Sequence, residues 1–393
     1  LNPAILTSKV QAFLSKNLTQ KVTAIALKKT PFKNVSSQEL AQQLVGKQKA
    51  QKKLPSWFKS NQVYYPPSLN LEQTSSEKTA IYKAQLVSGK TLIDCTGGFG
   101  IDSVAFAKKV KTVFHCELNE ELQKIASHNF KALKIENIES DCCDGINFAL
   151  QHKKVNWIYI DPSRRNSTKG KVFFLEDCLP NVPAVVDQLF EVTSSILIKT
   201  APILDISVGL RELKYVKEIH IVAVDNEVKE LLWILDKTCF NNPIIYSVTL
   251  LKTFESHIKI PLIAEEEANS RLGEPLKYLF EPYASVMKSG AFNWLSEHYK
   301  IAKLHAQTHL YTSNELIDFP GRKFEITVVY PFNKSAMRLL VKAKTNVVTR
   351  NFKISVAELR KKYKLQEGLE RYLFFVTDKN NKAIVIDCNK ISN

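Results

Sequence analysis

Residues 92–107, LIDCTGGFGIDSVAFA, constrain this chain more than any other stretch. An apolar run ends in the acid Asp94. Thr96, Gly97, Gly98, Phe99 and Gly100 follow, and Asp102 then heads a segment with apolar residues at helical spacing. Strand, glycine turn and helix in direct succession open a βαβ unit. Short apolar runs continue at 91–95, 111–117, 135–140, 155–160, 195–200, 217–224 and 244–252, with helical periodicity between most of them. That alternation predicts an α/β domain whose parallel sheet is covered on both faces. The seventh run directly follows a helical pattern near 224–232, which fits a closing hairpin.

The loop limits its own ligand. A P-loop needs Lys-Ser or Lys-Thr after its glycines, and none follows here. A dinucleotide loop needs GxGxxG; the spacing here is GGxG with no later glycine, which counts against a nicotinamide cofactor. A ligand with an adenosine and a charged tail but no phosphates is left, and S-adenosylmethionine (SAM) is the obvious case. The following strand ends carry matching groups. The second ends in Glu117, about 20 residues on, where an acid accepts from ribose hydroxyls. The third leads to Asp141, placed to accept from an adenine amino group, with the Cys142 amide beside the ring. The fourth ends in Asp161-Pro162-Ser163-Arg164-Arg165. Successive strand ends put these residues on one sheet edge, where α/β proteins bind ligands.

The flanks are basic. Residues 1–60 hold eleven Lys and one acid, and residues 319–393 hold sixteen Lys or Arg and six acids, +10 each, so the +16 total leaves −4 for residues 61–318. Several positive side chains acting together suit a polyanion such as RNA; a solvated basic surface would give the same count. Residues 1–70 read as a basic helical region, with Ser36 or Ser37 capping the helix near 37–53 and a Pro-, Asn- and Ser-rich connector at 55–70. The boundaries expected after it are 71–265 for the α/β domain, 266–318 for a small α+β linker domain and 319–393 for a C-terminal α+β domain. The last should contain a hairpin turning at Asp378. No run approaches the roughly 18 apolar residues of a membrane span, and no signal-peptide pattern opens the sequence. Seven cysteines without CxxC spacing predict reduced thiols in a cytoplasmic protein, with no metal site.

Four motifs, LIDCTGGFGID, HCELN, ESDCCDG and YIDPSRRN, resemble motifs I to IV of class I SAM-dependent methyltransferases. With YPPSLNLEQTSSEKTA and the basic N-terminal helices, the order of parts resembles a bacterial subgroup whose members end in a THUMP-like domain. The resemblance covers nearly the whole chain. It implies a Rossmann-like seven-stranded class I methyltransferase domain with SAM as cofactor, and RNA (tRNA or rRNA) as partner by analogy with THUMP domains. It places Asp94 near the ammonium group of SAM, a buried turn acid being the other reading of that residue, and Thr96, Gly97, Gly98 and Gly100 along its methionine part. It suggests that Gln73, Ser75, Ser76 and their neighbours close over the cofactor; a helix cap at Ser75 or Ser76 is the other reading. Asp161, Pro162, Ser163 and Arg164 would form the catalytic segment, with Asp161 also at the cofactor. Ser163 and Arg164 replace the Pro and aromatic residue common in amino-group methyltransferases. Arg164 and Arg165 could grip an RNA phosphate or stack on a base. Lys199, Asn226 and Glu227 are further candidates for the cleft, with helix capping as the other reading of Asp225 and Asn226. The fifth strand ends ILIKTAP without Cys, which disfavours carbon-5 methylation of uridine. A methyltransferase acting on a protein or small molecule, and a non-catalytic RNA-binding protein, are the rival readings.

Overall fold

The structure, a computed structural model, describes residues 1–164, 174–239 and 242–391. Two compact units share the chain: Leu1–Ile219 with Glu230–Asn241, and His220–Lys229 with Asn242–Asn393.

The first unit opens with six helices: α1 (Ser8–Lys16), α2 (Val22–Ala26), α3 (Ser37–Lys53), α4 (Pro55–Phe58), α5 (Ser68–Gln73) and α6 (Glu77–Gln85). A capping box starts α3: the Ser36 side chain accepts from the Glu39 amide, and the Glu39 carboxylate accepts from the Ser36 amide. The stretch 55–70, expected as a connector, is instead packed. Trp57, Val63, Tyr64 and Tyr65 are buried. The Tyr64 amide donates to Asn129 Oδ1 at 2.8 Å, and Asn129 Nδ2 donates back to the Tyr64 carbonyl at 3.0 Å. Aromatic residues supply the burial, while the prolines remove N–H groups that would need partners.

A sheet follows, built from β1 (Thr91–Asp94), β2 (Thr112–Cys116), β3 (Ile138–Asp141), β4 (Val155–Ile160), β5 (Thr193–Thr200), β6 (Val216–Val224) and β7 (Glu227–Asp236). The strand order is β6-β7-β5-β4-β1-β2-β3. Strands β1 to β5 pair in parallel, and β7 joins β5 antiparallel. The connecting helices are α7 (Ile101–Phe106), α8 (Glu120–Ala132), α9 (Gly145–Gln151), α10 (Val182–Leu189) and α11 (Ile206–Glu212). The chain order 1-2-3 reverses beside β4, so the edge carrying the C-terminal ends of β1 and β4 is a topological switch point.

One expectation is corrected. Residues 224–232 read as helical, yet they form the β6–β7 hairpin and the start of β7, which lies between β6 and β5. Asp225 and Asn226 have φ of 49° and 64°, the left-handed pair of a tight hairpin turn. Glu230 to Leu235 are all buried, as in a central strand covered on both faces. Such strands lose the alternating pattern, so spacing alone mimics a helix.

In the second unit β8 (Ile244–Leu250) and β9 (Glu255–Pro261) form an antiparallel pair, with β8 beside the end of β6. A second sheet contains β10 (Tyr278–Pro282), β11 (Ala302–Lys303), β12 (Tyr311–Ser313), β13 (Gly321–Pro331), β14 (Asn346–Arg350), β15 (Arg371–Thr377) and β16 (Ala383–Lys390), in the order β11-β12-β10-β13-β16-β15-β14. Its core includes Leu279, Phe324, Phe374 and Ile386. Residues 266–318 supply β10 to β12, and β10 pairs directly with β13. The β15–β16 hairpin turns after Asp378, whose Oδ1 accepts from the amides of Asn380 and Lys382 at 2.9 and 2.8 Å. No helix among the described residues is long and apolar enough to cross a membrane.

Candidate functional site

The C-terminal ends of β1, β2 and β4 converge on the glycine loop, and the loop is tied to them by hydrogen bonds. The Cys95 amide donates to the Tyr159 carbonyl at 3.0 Å, and the Gly97 amide to the Cys116 carbonyl at 2.8 Å. Thr96 Oγ1 accepts from the Asp161 amide at 2.7 Å. Each glycine has its own reason. A side chain at Gly97 would strike His115, and one at Gly100 would strike Phe130, at 2.3 and 2.5 Å. Gly98 has φ +56°, and the nearest atom to a Cβ built there is the Thr96 carbonyl oxygen at an uncrowded 3.8 Å, which leaves room for close approach of a ligand to the backbone.

Glu117 is held ready at the end of β2. Its Oε2 accepts from the Gly98 amide at 2.8 Å and its Oε1 from the Asn119 amide at 2.7 Å. A carboxylate has about four lone-pair sites, so both oxygens retain capacity for hydroxyl donors. Asp141 and Cys142 are exposed at the end of β3. The Asp141 carbonyl accepts from the Glu117 amide at 3.2 Å, which keeps the ends of β2 and β3 together.

Asp94 is buried rather than presented. Thr96 donates its amide to Oδ1 at 3.1 Å, and Ser103 donates its hydroxyl to Oδ2 at 2.6 Å. Burial pushes its pKa up to about 7, partly countered by the Ser103 hydrogen bond and reinforced by Asp102. His115, buried behind Gly97, is pushed down to about 4 by burial. These two groups act on stability in opposite directions. Folded Asp94 holds a proton that the unfolded chain gives up above about 3.8, so its contribution falls as pH rises from there to about 7. Unfolded His115 takes up a proton below about 6.5 that the folded state refuses down to about 4, so its contribution rises with pH over that window. Asp94→Asn removes the first slope only. The variant's stability should therefore climb more steeply than wild type between about pH 4 and 6.5, as read from denaturant midpoints at several pH values.

Asp161 follows β4, with its carboxylate paired to the Lys199 ammonium from β5. Burial alone would lower Lys199; the carboxylates of Asp161, Glu230 and Asp102 outweigh it and hold the amine above its ordinary range. Pro162 is buried, and Ser163 and Arg164 form a two-residue ladder with Leu179 and Cys178. Arg165 lies outside the described residues.

Behind Asp161 is a buried ionic network that sequence reading missed. Lys83 of α6 is fully buried. Its ammonium donates to both Glu230 oxygens at 2.8 Å and to Ser75 Oγ at 2.9 Å, and stands 3.2 Å from Asp102 Oδ1. Ser75 and the Tyr159 hydroxyl donate to Asp102 Oδ2 at 2.8 and 2.9 Å. Asp102 Oδ1 is buried without a hydrogen bond. Burial would raise Asp102, but Lys83 and Lys199 outweigh it and hold the carboxyl below its usual range. In formal charges, Asp102, Asp161 and Glu230 face two ammoniums, an excess of one negative charge before Asp94 is counted.

The segment 71–80 divides by role. Ser75 points into the network. Ser76 caps α6, accepting from the Thr79 amide at 3.2 Å. Gln73 is exposed at the end of α5, and Glu77 accepts from the Ser56 amide at 2.8 Å. Asn226 and Glu227, proposed for the cleft, belong to the second unit. There Asn226 Oδ1 accepts from the Ala284 amide at 2.7 Å, and Glu227 pairs with Lys229.

Comparison with known proteins bears on the whole chain. A crystal structure of a candidate methyltransferase from Porphyromonas gingivalis W83 superposes with a TM-score of 0.87 at 28% identity, covering 98% of both chains. An rRNA methylase from Streptococcus thermophilus matches 41% of this chain and 94% of its own, at 15% identity and a TM-score of 0.30. A likeness that weak carries no argument. No curated protein matches the sequence. Two family models match the second unit: a ferredoxin-like domain at residues 278–320 and the THUMP domain-like family at residues 321–390. The glycine loop, the strand order, the whole-length likeness and the family matches together make this chain a protein of the class I methyltransferase fold that carries a THUMP-like domain at its C-terminal end.

Proposed function

We propose that the protein is a SAM-dependent methyltransferase acting on a base of tRNA or rRNA. The observation that carries the cofactor is the Gly98–Glu117 pair. An open left-handed glycine stands beside a carboxylate held by the loop's own amide, a cradle that any side chain at Gly98 would strain. The charge of the site fits as well. SAM is cationic at sulfur and at its ammonium group, and the carboxylates of Asp102, Asp161 and Glu230 outnumber the two ammoniums paired with them. Glu117 would hold the ribose, the loop backbone the methionine part, and Asp141 with Cys142 the adenine.

Bound there, SAM supplies an electrophilic methyl group. The chain's own task is to aim a lone pair at it, and positioning supplies much of the rate in such displacements. Asp161 is the group at the correct edge to accept a hydrogen from an acceptor amine. Lys199 fixes that carboxylate's direction, and the Thr96 hydroxyl fixes its backbone. RNA as substrate is supported by the two basic ends and by the THUMP-like match.

Glu117→Ala should weaken SAM binding by about 10- to 150-fold, because each hydrogen bond to a charged group is worth roughly 1.5–3 kcal/mol. Titration calorimetry on ligand-stripped protein measures this. Wild type that takes up no SAM would sink the cofactor reading. Nucleoside mass spectrometry of tRNA and rRNA, with and without the gene, tests the substrate. Identical nucleosides in both would point to a protein or small-molecule acceptor.

A further inference from the structure

All seven cysteines are free thiols, and two of them stand together at the edge that holds Glu117 and Asp141. Cys116 is the last residue of β2, and its strand partner in β3 is Asp141. The turn after Asp141 brings Cys143 within hydrogen-bonding reach of the Cys116 thiol. Cys142, one residue earlier, points elsewhere: its thiol contacts the Leu118 carbonyl at 3.7 Å. Cys116 is 1% exposed, while Cys143 is half-buried. An oxidant can therefore reach Cys143 and, through it, Cys116.

The surroundings leave little slack. The Cys116 carbonyl accepts from the Gly97 amide at 2.8 Å, and the Asp141 carbonyl from the Glu117 amide at 3.2 Å. A side chain at Gly145 would strike the Cys95 carbonyl at 2.2 Å, so the first residue of α9 is packed against the end of β1. Asp144 caps that helix, accepting from the Asn147 amide at 2.9 Å. A disulfide needs its sulfurs about 2.0 Å apart, closer than two separate thiols in contact. Closing that gap must move residues 141–144, the segment that would face the adenine, or the end of β2, which carries Glu117. We propose that Cys116 and Cys143 form a reversible disulfide when the protein meets a low-molecular-weight disulfide, and that this bond weakens cofactor binding. The disulfide stands on the contact of the two thiols; its effect on the cofactor rests on the SAM reading above.

The exchange balances in two steps. The Cys143 thiolate attacks one sulfur of the oxidant, the oxidant's S–S bond breaks, and one small thiolate leaves and takes up a proton. The Cys116 thiolate then attacks the Cys143 sulfur and expels the second small thiol. The protein gives up two hydrogens and the oxidant gains them. Burial pushes both thiols up, so thiolate is scarce at neutral pH and the exchange should run over minutes to hours.

The test incubates the full chain with oxidised glutathione and maps disulfides by mass spectrometry of unreduced peptides. The Cys116–Cys143 pair should appear, and dithiothreitol should remove it. SAM affinity, measured by calorimetry, should fall by about 5- to 150-fold in the oxidised protein, the usual span of coupling between two sites, and return on reduction. Cys142→Ser, which removes the exposed thiol and keeps its amide, should show the same fall. Cys142→Ser/Cys143→Ser should show none. Persistence of both thiols, or glutathione attached at Cys142 alone, overturns the pair. A Cys116–Cys143 bond that leaves SAM affinity unchanged, or an equal fall in the double variant, overturns the control of the cofactor. Reduced wild type that takes up no SAM would defeat the cofactor reading, and the peptide map would still decide the disulfide.

Discussion

Lys83→Met should lower the unfolding free energy by about 3–5 kcal/mol, the usual cost of removing one member of a buried ion pair. The magnitude follows from what is left behind. Glu230 loses both of its Lys83 hydrogen bonds, and Asp102 loses its nearest cation. Glu230 is buried and the Asp102 side chain is only 12% exposed, so a lone charge there has little water to solvate it. At about 2–4 °C per kcal/mol for a unit of this size, the midpoint should fall by roughly 6–20 °C. Lys83→Met/Glu230→Leu should be more stable than Lys83→Met alone, because the second change removes one of the stranded charges. Differential scanning calorimetry decides both points. A single variant that melts with wild type would mean that the network contributes little.

Asp161→Asn should slow methyl transfer by about 10²- to 10⁴-fold, the range for loss of a positioned proton acceptor. Asparagine keeps the shape, and the Thr96 contact runs through the backbone amide, so the loop should stay in place. The carboxylate's charge is what disappears, and with it the ion pair to Lys199. Single-turnover transfer at saturating SAM isolates this step from cofactor binding. Unchanged turnover would remove Asp161 from the chemistry and direct attention to Ser163 and Arg164. A loss that vanishes at saturating SAM would instead give Asp161 a binding role alone.

The candidate site was legible where chemistry sits at strand ends. Asp94, the glycines, Glu117, Asp141 and Asp161 each follow an apolar run, and a parallel sheet gathers such positions on one edge whatever the details of packing. Asp102 was visible as a second acid, but its partners were not. Lys83 lies inside the helical pattern AIYKAQ, where a lysine usually faces water. Glu230 precedes the apolar run LLWIL, which spacing assigned to a helix. Their contact depends on β7 entering the sheet beside β5, a tertiary choice that local periodicity does not encode. The segment 278–320 was legible only as part of a small α+β linker domain, and its ferredoxin-like character was not, because its strands are two to five residues long, too short to show a period.

The hairpin at Asp225-Asn226 also sets a schedule. The chain leaves the first unit after Ile219 and re-enters it at Glu230. Lys83 and its Glu230 partner stand 147 residues apart. At about 5–20 residues per second of synthesis, roughly 7–30 s separate the appearance of the lysine from that of its partner. During that interval the glycine loop, Glu117 and Asp161 have all been made while the cation at the centre of the network lacks its closest carboxylate. A nascent chain that stops short of β7 would thus carry every motif of the site and still lack the strand that completes its interior.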